Sequence, residues 1–179
     1  MPRIAPILLA HADAATASTL EAVKNKLGML PNLFTTFAQA PAVLQGYLGL
    51  TETLGQGRLS ARQREIIALA VSQANGCGYC LSAHSLMGKG AGLNAEELLA
   101  ARAGRAAVPL ERHIVGLASQ VLAQRGRISD SELAAAREAG LDDGLILEIV
   151  AQVALNVLTN FTNNLAQTDI DFPPVDVAL

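Results

Sequence analysis

Both cysteines of the chain lie in one tetrapeptide, Cys77-Gly78-Tyr79-Cys80, and His84 follows one helical turn later. If this segment opens a helix, the i,i+3 and i,i+4 spacings place the two thiols and the imidazole on one face. The unpaired N–H groups and the dipole at a helix N-terminus favour a thiolate there. His84 could accept the thiol proton. The spacing therefore indicates thiol chemistry, in which two neighbouring thiols form a reversible disulfide.

The same residues leave other interpretations open. A c-type haem site is excluded, because it needs histidine directly after the second cysteine and Leu81 stands there. A thioredoxin fold would need a βαβ pattern, which the sequence lacks. Zinc would find three ligands in the cluster and a fourth in Glu65 or His113, although structural zinc sites usually present their ligands in two pairs. Two cysteines packed in a core are the remaining alternative.

Glu65 is the acidic candidate nearest to this cluster, twelve residues before Cys77 on the preceding predicted helix. A glutamate in the first turn of a helix is often solvated and stabilised by the helix dipole. The functional alternative is a buried carboxylate that orients His84 or passes a proton through water. The sequence by itself leaves both alternatives open.

The elements that carry these residues are predicted to be helices. Apolar residues make up 51% of the 179, and Ala and Leu far outnumber Val and Ile. No period-2 strand pattern or hairpin signal is present. The fold class is therefore all-α, with about eight helices in one domain that spans 1–179. We divide it into N-terminal helices in 18–55, a catalytic segment in 60–90, C-terminal helices in 94–166 and an extended tail in 167–179.

Helix boundaries are marked by caps and glycines. Three capping-box pairs predict helix starts, because each pairs a capping side chain with Glu or Gln three residues later: Ser60 with Gln63, Asn94 with Glu97, and Ser129 with Glu132. Gly28 is placed to end the first helix. Gly88, Gly90 and Gly92 are interpreted as the residues that stop the helix carrying the cysteines.

Composition and charge exclude several classes of partner. The formal net charge is −3 and aromatic residues make up only 3%, so there is no basic stripe or stacking surface for nucleic acid. No uncharged apolar run reaches bilayer-spanning length, and we expect no membrane partner. The N-terminus, Met1-Pro2-Arg3-Ile4, lacks the apolar stretch of a secretory signal, which predicts a cytoplasmic protein.

The high apolar content also predicts a homo-oligomer, because a chain of this size has a limited interior. The last predicted helix carries a polar seam that fits this interpretation. We interpret the seam mainly as a hydrogen-bonded subunit contact, with the edge of a substrate pocket as the alternative. Its asparagines are Asn156, Asn160, Asn163 and Asn164.

The pattern Glu65-x11-Cys77-x2-Cys80-x3-His84 resembles the signature of the carboxymuconolactone decarboxylase superfamily. More narrowly, it is similar to the alkylhydroperoxidase D (AhpD)-like, peroxidase-related subgroup. Flanking segments extend the resemblance over roughly 27–173. They include Met29-Leu30-Pro31-Asn32 near the N-terminus and Asn160-Phe161-Thr162-Asn163-Asn164 near the C-terminus.

The resemblance implies an all-helical AhpD-like fold that assembles as trimers or hexamers. It also implies an antioxidant oxidoreductase that reduces hydroperoxides with a redox-active CxxC dithiol. Cys80 would be the peroxidatic thiolate, Cys77 would resolve its sulfenic acid as a disulfide, and His84 with Glu65 would form a proton relay. No cofactor or metal is expected, so electrons would come from a thiol or dithiol reductant, which could be a protein.

One residue departs from the resemblance. AhpD enzymes carry a second histidine immediately before the peroxidatic cysteine, whereas this chain has Tyr79, a poor base at neutral pH. Two other functions are consistent with the same cluster. The first is a non-enzymatic thiol redox sensor, and the second is a cofactor-free lyase that acts on a ring lactone through Glu65 and His84.

Overall fold

The computed structural model describes residues 1–179 as an all-helical protein without strands. A short 3₁₀ helix, Leu9–His11, precedes nine α-helices, one more than the approximate count predicted from the sequence. Their bounds are α1 Ala14–Leu27, α2 Asn32–Phe37, α3 Pro41–Gly55, α4 Ala61–Ala74, α5 Gly78–Gly90, α6 Ala95–Arg102, α7 Pro109–Gln124, α8 Asp130–Glu138 and α9 Asp143–Ala166.

The predicted helix starts are confirmed at the three capping boxes, where side chain and backbone bond reciprocally before α4, α6 and α8. The start of α1 is earlier than predicted. Asp13 caps this helix, because its carboxylate accepts the N–H groups of Ala15 and Thr16, so α1 begins at Ala14 rather than near Ser18. Gly28 ends α1 in the left-handed conformation, as predicted.

The interpretation of Gly88 as a helix stop is wrong. Gly88 and Gly90 both lie within α5, which ends at Gly90. A Cβ atom at Gly88 would stand 2.8 Å from Leu98 Cδ2 and 3.0 Å from Leu93 Cδ1. Gly88 therefore serves the close approach of α6 to α5 rather than a break in the chain.

The helix α4 lies at the centre of the fold, in contact with α5, α6, α7 and α9. One apolar cluster joins α4 to α7 and α9, and a second joins it to α5 and α6. A third cluster packs the N-terminal helices α1 to α3 against the start of α5, and it includes Cys77, Tyr79 and Cys80. The chemistry-bearing tetrapeptide is therefore built into the N-terminal core.

The helix α9 corrects the expectation that no segment is long and apolar enough to span a bilayer. By length and composition alone its 24 residues meet that criterion. In this structure 44% of its most apolar stretch is buried inside the protein, against α4 and α7 among others. A helix packed into a protein core passes the same test, because the test considers only length and composition.

The C-terminal tail after α9 has no helix or strand and lies over the start of α5. Its Val175 N–H donates to Ser82 Oγ at 3.1 Å. The guanidinium of the buried Arg102 donates to the carbonyl oxygens of Asp176, at 2.7 Å, and Ala178. These contacts hold the tail against both α5, which carries the cysteines, and α6.

Candidate active site

The two cysteines form a disulfide at the N-terminus of α5. Cys77 is the N-cap residue, and its Cα lies 5.3 Å from that of Cys80. The backbone N–H of Cys80 points at Cys77 Sγ, 3.2 Å away. A turn at Asn75 and Gly76 sets this start, because Gly76 adopts a positive φ of 61° and the Cys77 N–H then donates to the Ser72 carbonyl.

Neither cysteine is open to solvent in the single chain. Cys77 is 0% and Cys80 2% exposed, and both pack among the side chains of the N-terminal core. Reactive thiols usually lie in partly exposed surroundings. Any reagent that reaches these sulfur atoms must therefore enter through a cavity or a movement of the covering segments.

The structure brings Glu65 and His84 together, as the functional alternative for Glu65 required. Glu65 Oε2 lies 2.8 Å from His84 Nδ1, and both side chains are 17% exposed. An ionised carboxylate only accepts, so Nδ1 carries the hydrogen of this bond and Nε2 is the ring nitrogen that it leaves free. This ring lies one helical turn after Cys80 on α5. The pair can therefore take up or deliver a proton beside the sulfur atoms.

Tyr79 has a structural role at the position of the second AhpD histidine. Its hydroxyl oxygen accepts the Leu33 N–H at 3.2 Å, and its ring packs edge-on against Phe172 at a centroid distance of 5.6 Å. Burial is the main cause that raises the pKa of the Tyr79 phenol, and the nearby Asp171 charge raises it further. Tyr79 therefore stays a neutral phenol and does not replace a histidine as a base.

The polar seam of α9 is internal to the chain, contrary to its interpretation mainly as a subunit contact. Asn163 Nδ2 donates to Cys80 Sγ at 3.4 Å, and Asn160 Nδ2 donates to Ser72 Oγ on α4. Asn164 Nδ2 donates to the Asn75 carbonyl in the turn before α5. The seam therefore ties α9 to the elements that carry the disulfide. Its regular spacing was visible in the sequence, but its partner was not.

A cavity of about 250 Å³ lies beside the disulfide, on the side of the tail and the C-terminus of α9. Gly78 and Tyr79, the two residues between the cysteines, form one wall. Asn163 contributes to the opposite wall. Thr168 also lines the cavity, and no sequence signal had pointed to it. The remaining lining residues are Asn164, Gln167 and Ile170.

The zinc alternative gains no support from the structure. No group of three or more His, Cys, Asp and Glu side chains is arranged to hold a metal ion. His113, offered as a fourth ligand, is exposed on α7, whereas both cysteines are buried and joined to each other. The contacts that the structure shows here are the Cys77–Cys80 disulfide, the hydrogen bond from Asn163 to Cys80 Sγ, and the Glu65–His84 pair one helical turn further along α5.

Comparison with known proteins finds a family model that matches the segment carrying this site. Residues 41–120, which contain Glu65, both cysteines and His84, match the family model described as "Carboxymuconolactone decarboxylase family". The resemblance to this family seen in the sequence is confirmed. The chain is also 33% identical over 102 residues to the alkyl hydroperoxide reductase AhpD of Methylobacterium sp. (strain 4-46). That match covers 56% of this chain and 54% of the relative, so the chain spans about half the length of the curated relative.

The chain also resembles solved structures over nearly its whole length. Its fold is AhpD-like. The chain is similar to the AhpD core of an uncharacterized peroxidase-related protein from Ralstonia eutropha JMP134, with a TM-score of 0.83 at 26% identity. That match covers 98% of this chain and 93% of the other. A peroxidase-related protein from Silicibacter sp. TM1040 gives 0.80 at 22% identity, covering 97% and 92%. The debrominase Bmp8, in complex with 2,3,4-tribromopyrrole, gives 0.78 at 19%, covering 94% and 91%; these last two matches show the fold alone.

Proposed function

We propose that the protein reduces hydroperoxides through the Cys77–Cys80 couple and is regenerated by an external thiol or dithiol. The observation that carries the proposal is a CxxC disulfide at a helix N-terminus, one turn before an imidazole that a carboxylate holds at 2.8 Å. The AhpD relative supports a peroxide substrate and a thiol reductant. The debrominase is a reason for testing the reaction directly, since one fold can host different chemistries.

In the proposed cycle, the Cys80 thiolate attacks the terminal oxygen of the hydroperoxide. An S–O bond forms as the O–O bond breaks, so the sulfur is oxidised to sulfenic acid while the peroxide leaves as alkoxide and takes up a proton. The Cys77 thiol then attacks this sulfur, forming the S–S bond and releasing water. An external dithiol reduces the disulfide by two successive exchanges and becomes a disulfide itself.

The side chains divide the supporting roles. His84 accepts the Cys80 proton at its free Nε2 and returns it to the departing oxygen, while Glu65 holds the ring by accepting from Nδ1. Asn163 Nδ2 donates to Cys80 Sγ, and a hydrogen bond to sulfur favours the charged thiolate. Cys80 is the nucleophile in this scheme because His84 follows it by four residues on the same helix and its sulfur accepts from the Asn163 amide.

Sustained turnover is the test of this function. The protein, supplied with tert-butyl hydroperoxide and dithiothreitol, is expected to consume peroxide in proportion to enzyme over many cycles. Cys80→Ser should abolish consumption, because the attacking sulfur is lost. Cys77→Ser, given peroxide without dithiothreitol, should stop after one oxidation and leave a sulfenic acid that mass spectrometry detects, because the resolving thiol is lost.

The competing functions give different results in the same assay. A redox sensor would be oxidised once, with no sustained consumption at any dithiol concentration. A lactone lyase would keep its activity in the variant that carries Cys77→Ser and Cys80→Ser together. Normal peroxide turnover by Cys80→Ser would refute the proposed role of that residue.

We further propose that the protein works as a homo-oligomer, in the cytoplasm, where thiol donors are abundant. The outer face of α9 supports the first point, since it presents several exposed apolar side chains at helical spacing: Leu147, Val150, Leu158, Phe161 and Leu165. Sedimentation should give the mass of a trimer or hexamer for the native chain and a smaller species for Phe161→Ser combined with Leu165→Ser. A native monomer would contradict the proposal.

A further inference from the structure

The corner between α9 and the tail holds every buried side-chain N or O atom that lacks a hydrogen-bond partner. These atoms are Asn163 Oδ1, Thr168 Oγ1 and Asp171 Oδ1. A buried polar atom without a partner costs free energy, so a cluster of three within nine residues needs an explanation. Asn163 and Thr168 also line the cavity beside the tetrapeptide that carries the cysteines.

Thr168 differs from the other buried threonines. It is only 8% exposed, yet its hydroxyl bonds to nothing, whereas each of the others donates to a nearby oxygen. Those bonded threonines are Thr16, Thr35, Thr36 and Thr159. The hydroxyl of Thr168 is therefore not needed for local structure, and its exception falls at the cavity.

Asn163 is the link between the cavity and the sulfur. This residue is 4% exposed, its Nδ2 donates to Cys80 Sγ at 3.4 Å, and its Oδ1 accepts no hydrogen bond. The C-terminal turn of α9 holds Thr168 close to it, since the Thr168 N–H donates to the Asn163 carbonyl and Gln167 between them adopts a left-handed conformation. One local turn thus brings both residues to the lining of the same cavity.

We propose that this cavity is the hydroperoxide-binding subsite, with Asn163 and Thr168 as the residues that bind the two peroxide oxygens. The inference rests on the proposed function and adds the substrate's position to it. The hydroperoxide O–H donates to Asn163 Oδ1, which brings the terminal oxygen next to the sulfur that the same amide contacts. The Thr168 hydroxyl donates to the other oxygen, which becomes the alkoxide when the O–O bond breaks.

This assignment balances the chemistry of the first step. The sulfur gains the terminal oxygen, the O–O electron pair goes to the departing oxygen, and the hydrogen bond from Thr168 strengthens as negative charge develops there. The proton that completes the alcohol comes from the Glu65–His84 pair.

Two reactions of the reduced protein separate binding of peroxide from ionisation of the thiol. The first is oxidation by tert-butyl hydroperoxide, followed as disulfide formation in a single turnover. The second is alkylation of Cys80 by iodoacetamide at the same pH, which reports the thiolate without using the subsite. Thr168→Val, which keeps the side-chain shape, should slow oxidation about tenfold and leave alkylation unchanged.

Two further variants complete the test. Thr168→Ser restores a hydroxyl and should recover most of the oxidation rate. Thr162→Val is the matched control, because Thr162 lies near the end of α9, shortly before Thr168, and its hydroxyl donates to the Leu158 carbonyl instead. This control should oxidise at the native rate. Thr168→Val should fold at least as stably as the native chain, since the hydroxyl it removes has no partner.

The possible failures are distinguishable. A native chain that tert-butyl hydroperoxide does not oxidise faster than free cysteine would overturn the proposed function itself. A native chain that oxidises rapidly while Thr168→Val keeps the native rate would overturn the subsite alone. Equal loss of oxidation and alkylation in Thr168→Val would also overturn it, because the hydroxyl would then act on the thiol and not on the peroxide.

Discussion

Two pairs of side chains near Cys80 differ in their chemistry. The relay pair, Glu65 and His84, consists of a carboxylate and an imidazole that are hydrogen-bonded to each other and partly exposed. The binding pair, Asn163 and Thr168, consists of neutral groups that are almost fully buried and leave one polar atom each without a partner. The disulfide itself is only 0 to 2% exposed.

This difference separates two tasks that a peroxide-reducing thiol must perform. A proton has to pass between the site and water, which suits titratable groups with some contact to solvent. A substrate has to be held next to a buried sulfur, which suits neutral hydrogen-bonding groups that do not titrate and do not charge the core. The relay pair and the binding pair are therefore expected to respond differently to substitution.

The largest expected effect in this comparison comes from removing the imidazole. His84→Gln should slow oxidation of the reduced protein by tert-butyl hydroperoxide by about 100-fold, since general acid–base catalysis typically contributes that much or more. Unlike Thr168→Val, it should also slow alkylation of Cys80 by iodoacetamide, because the residue that takes up the thiol proton is lost. Both rates are measured on the same reduced sample.

His113→Gln is the control for this experiment, because His113 is exposed on α7 and contacts neither cysteine. It should leave both rates at their native values. Glu65→Gln should fall between the two, since a glutamine oxygen can still accept the Nδ1 hydrogen without supplying a charge. If His84→Gln slowed oxidation while alkylation kept its native rate, the relay pair would not act on ionisation of the thiol. The two pairs would then not differ in their tasks.

The sequence predicted the relay pair, Glu65 and His84, better than the binding pair, Asn163 and Thr168. The i,i+3 and i,i+4 spacings within one helix placed Cys77, Cys80 and His84 correctly, because such spacing is fixed by helix geometry alone. Glu65 needed the packing of α4 on α5, which its position in the family motif already implied. The capping boxes were equally reliable, because each depends on side chains three residues apart.

The binding pair is formed by contacts between distant parts of the chain. Asn163 meets Cys80 across 83 residues, so its spacing on α9 revealed a polar face but not what that face would contact. Thr168 is significant only because its hydroxyl is unpartnered, a property of the folded chain. Gly88 was misread for the same reason, because its small size serves a contact with Leu98 on another helix.

The smallest expected effect concerns Tyr79, whose hydroxyl bonds to the Leu33 backbone. This residue should take part neither in proton transfer nor in substrate binding. Tyr79→Phe removes the oxygen that accepts the Leu33 N–H and leaves that buried donor unpaired, so the free energy of unfolding should fall by about 1–3 kcal/mol. The ring contact with Phe172 is kept. Chemical denaturation of the oxidised protein measures the loss.

The rates of peroxide oxidation and of alkylation should both stay close to native in Tyr79→Phe. Burial keeps the Tyr79 phenol protonated at every pH of interest, so removing it takes away neither a base nor a charge. If Tyr79→Phe instead kept its stability and lost as much oxidation rate as His84→Gln, the phenol would be acting in proton transfer. The tyrosine would then replace the second histidine in function, and the separation of tasks around Cys80 would have to include a third group.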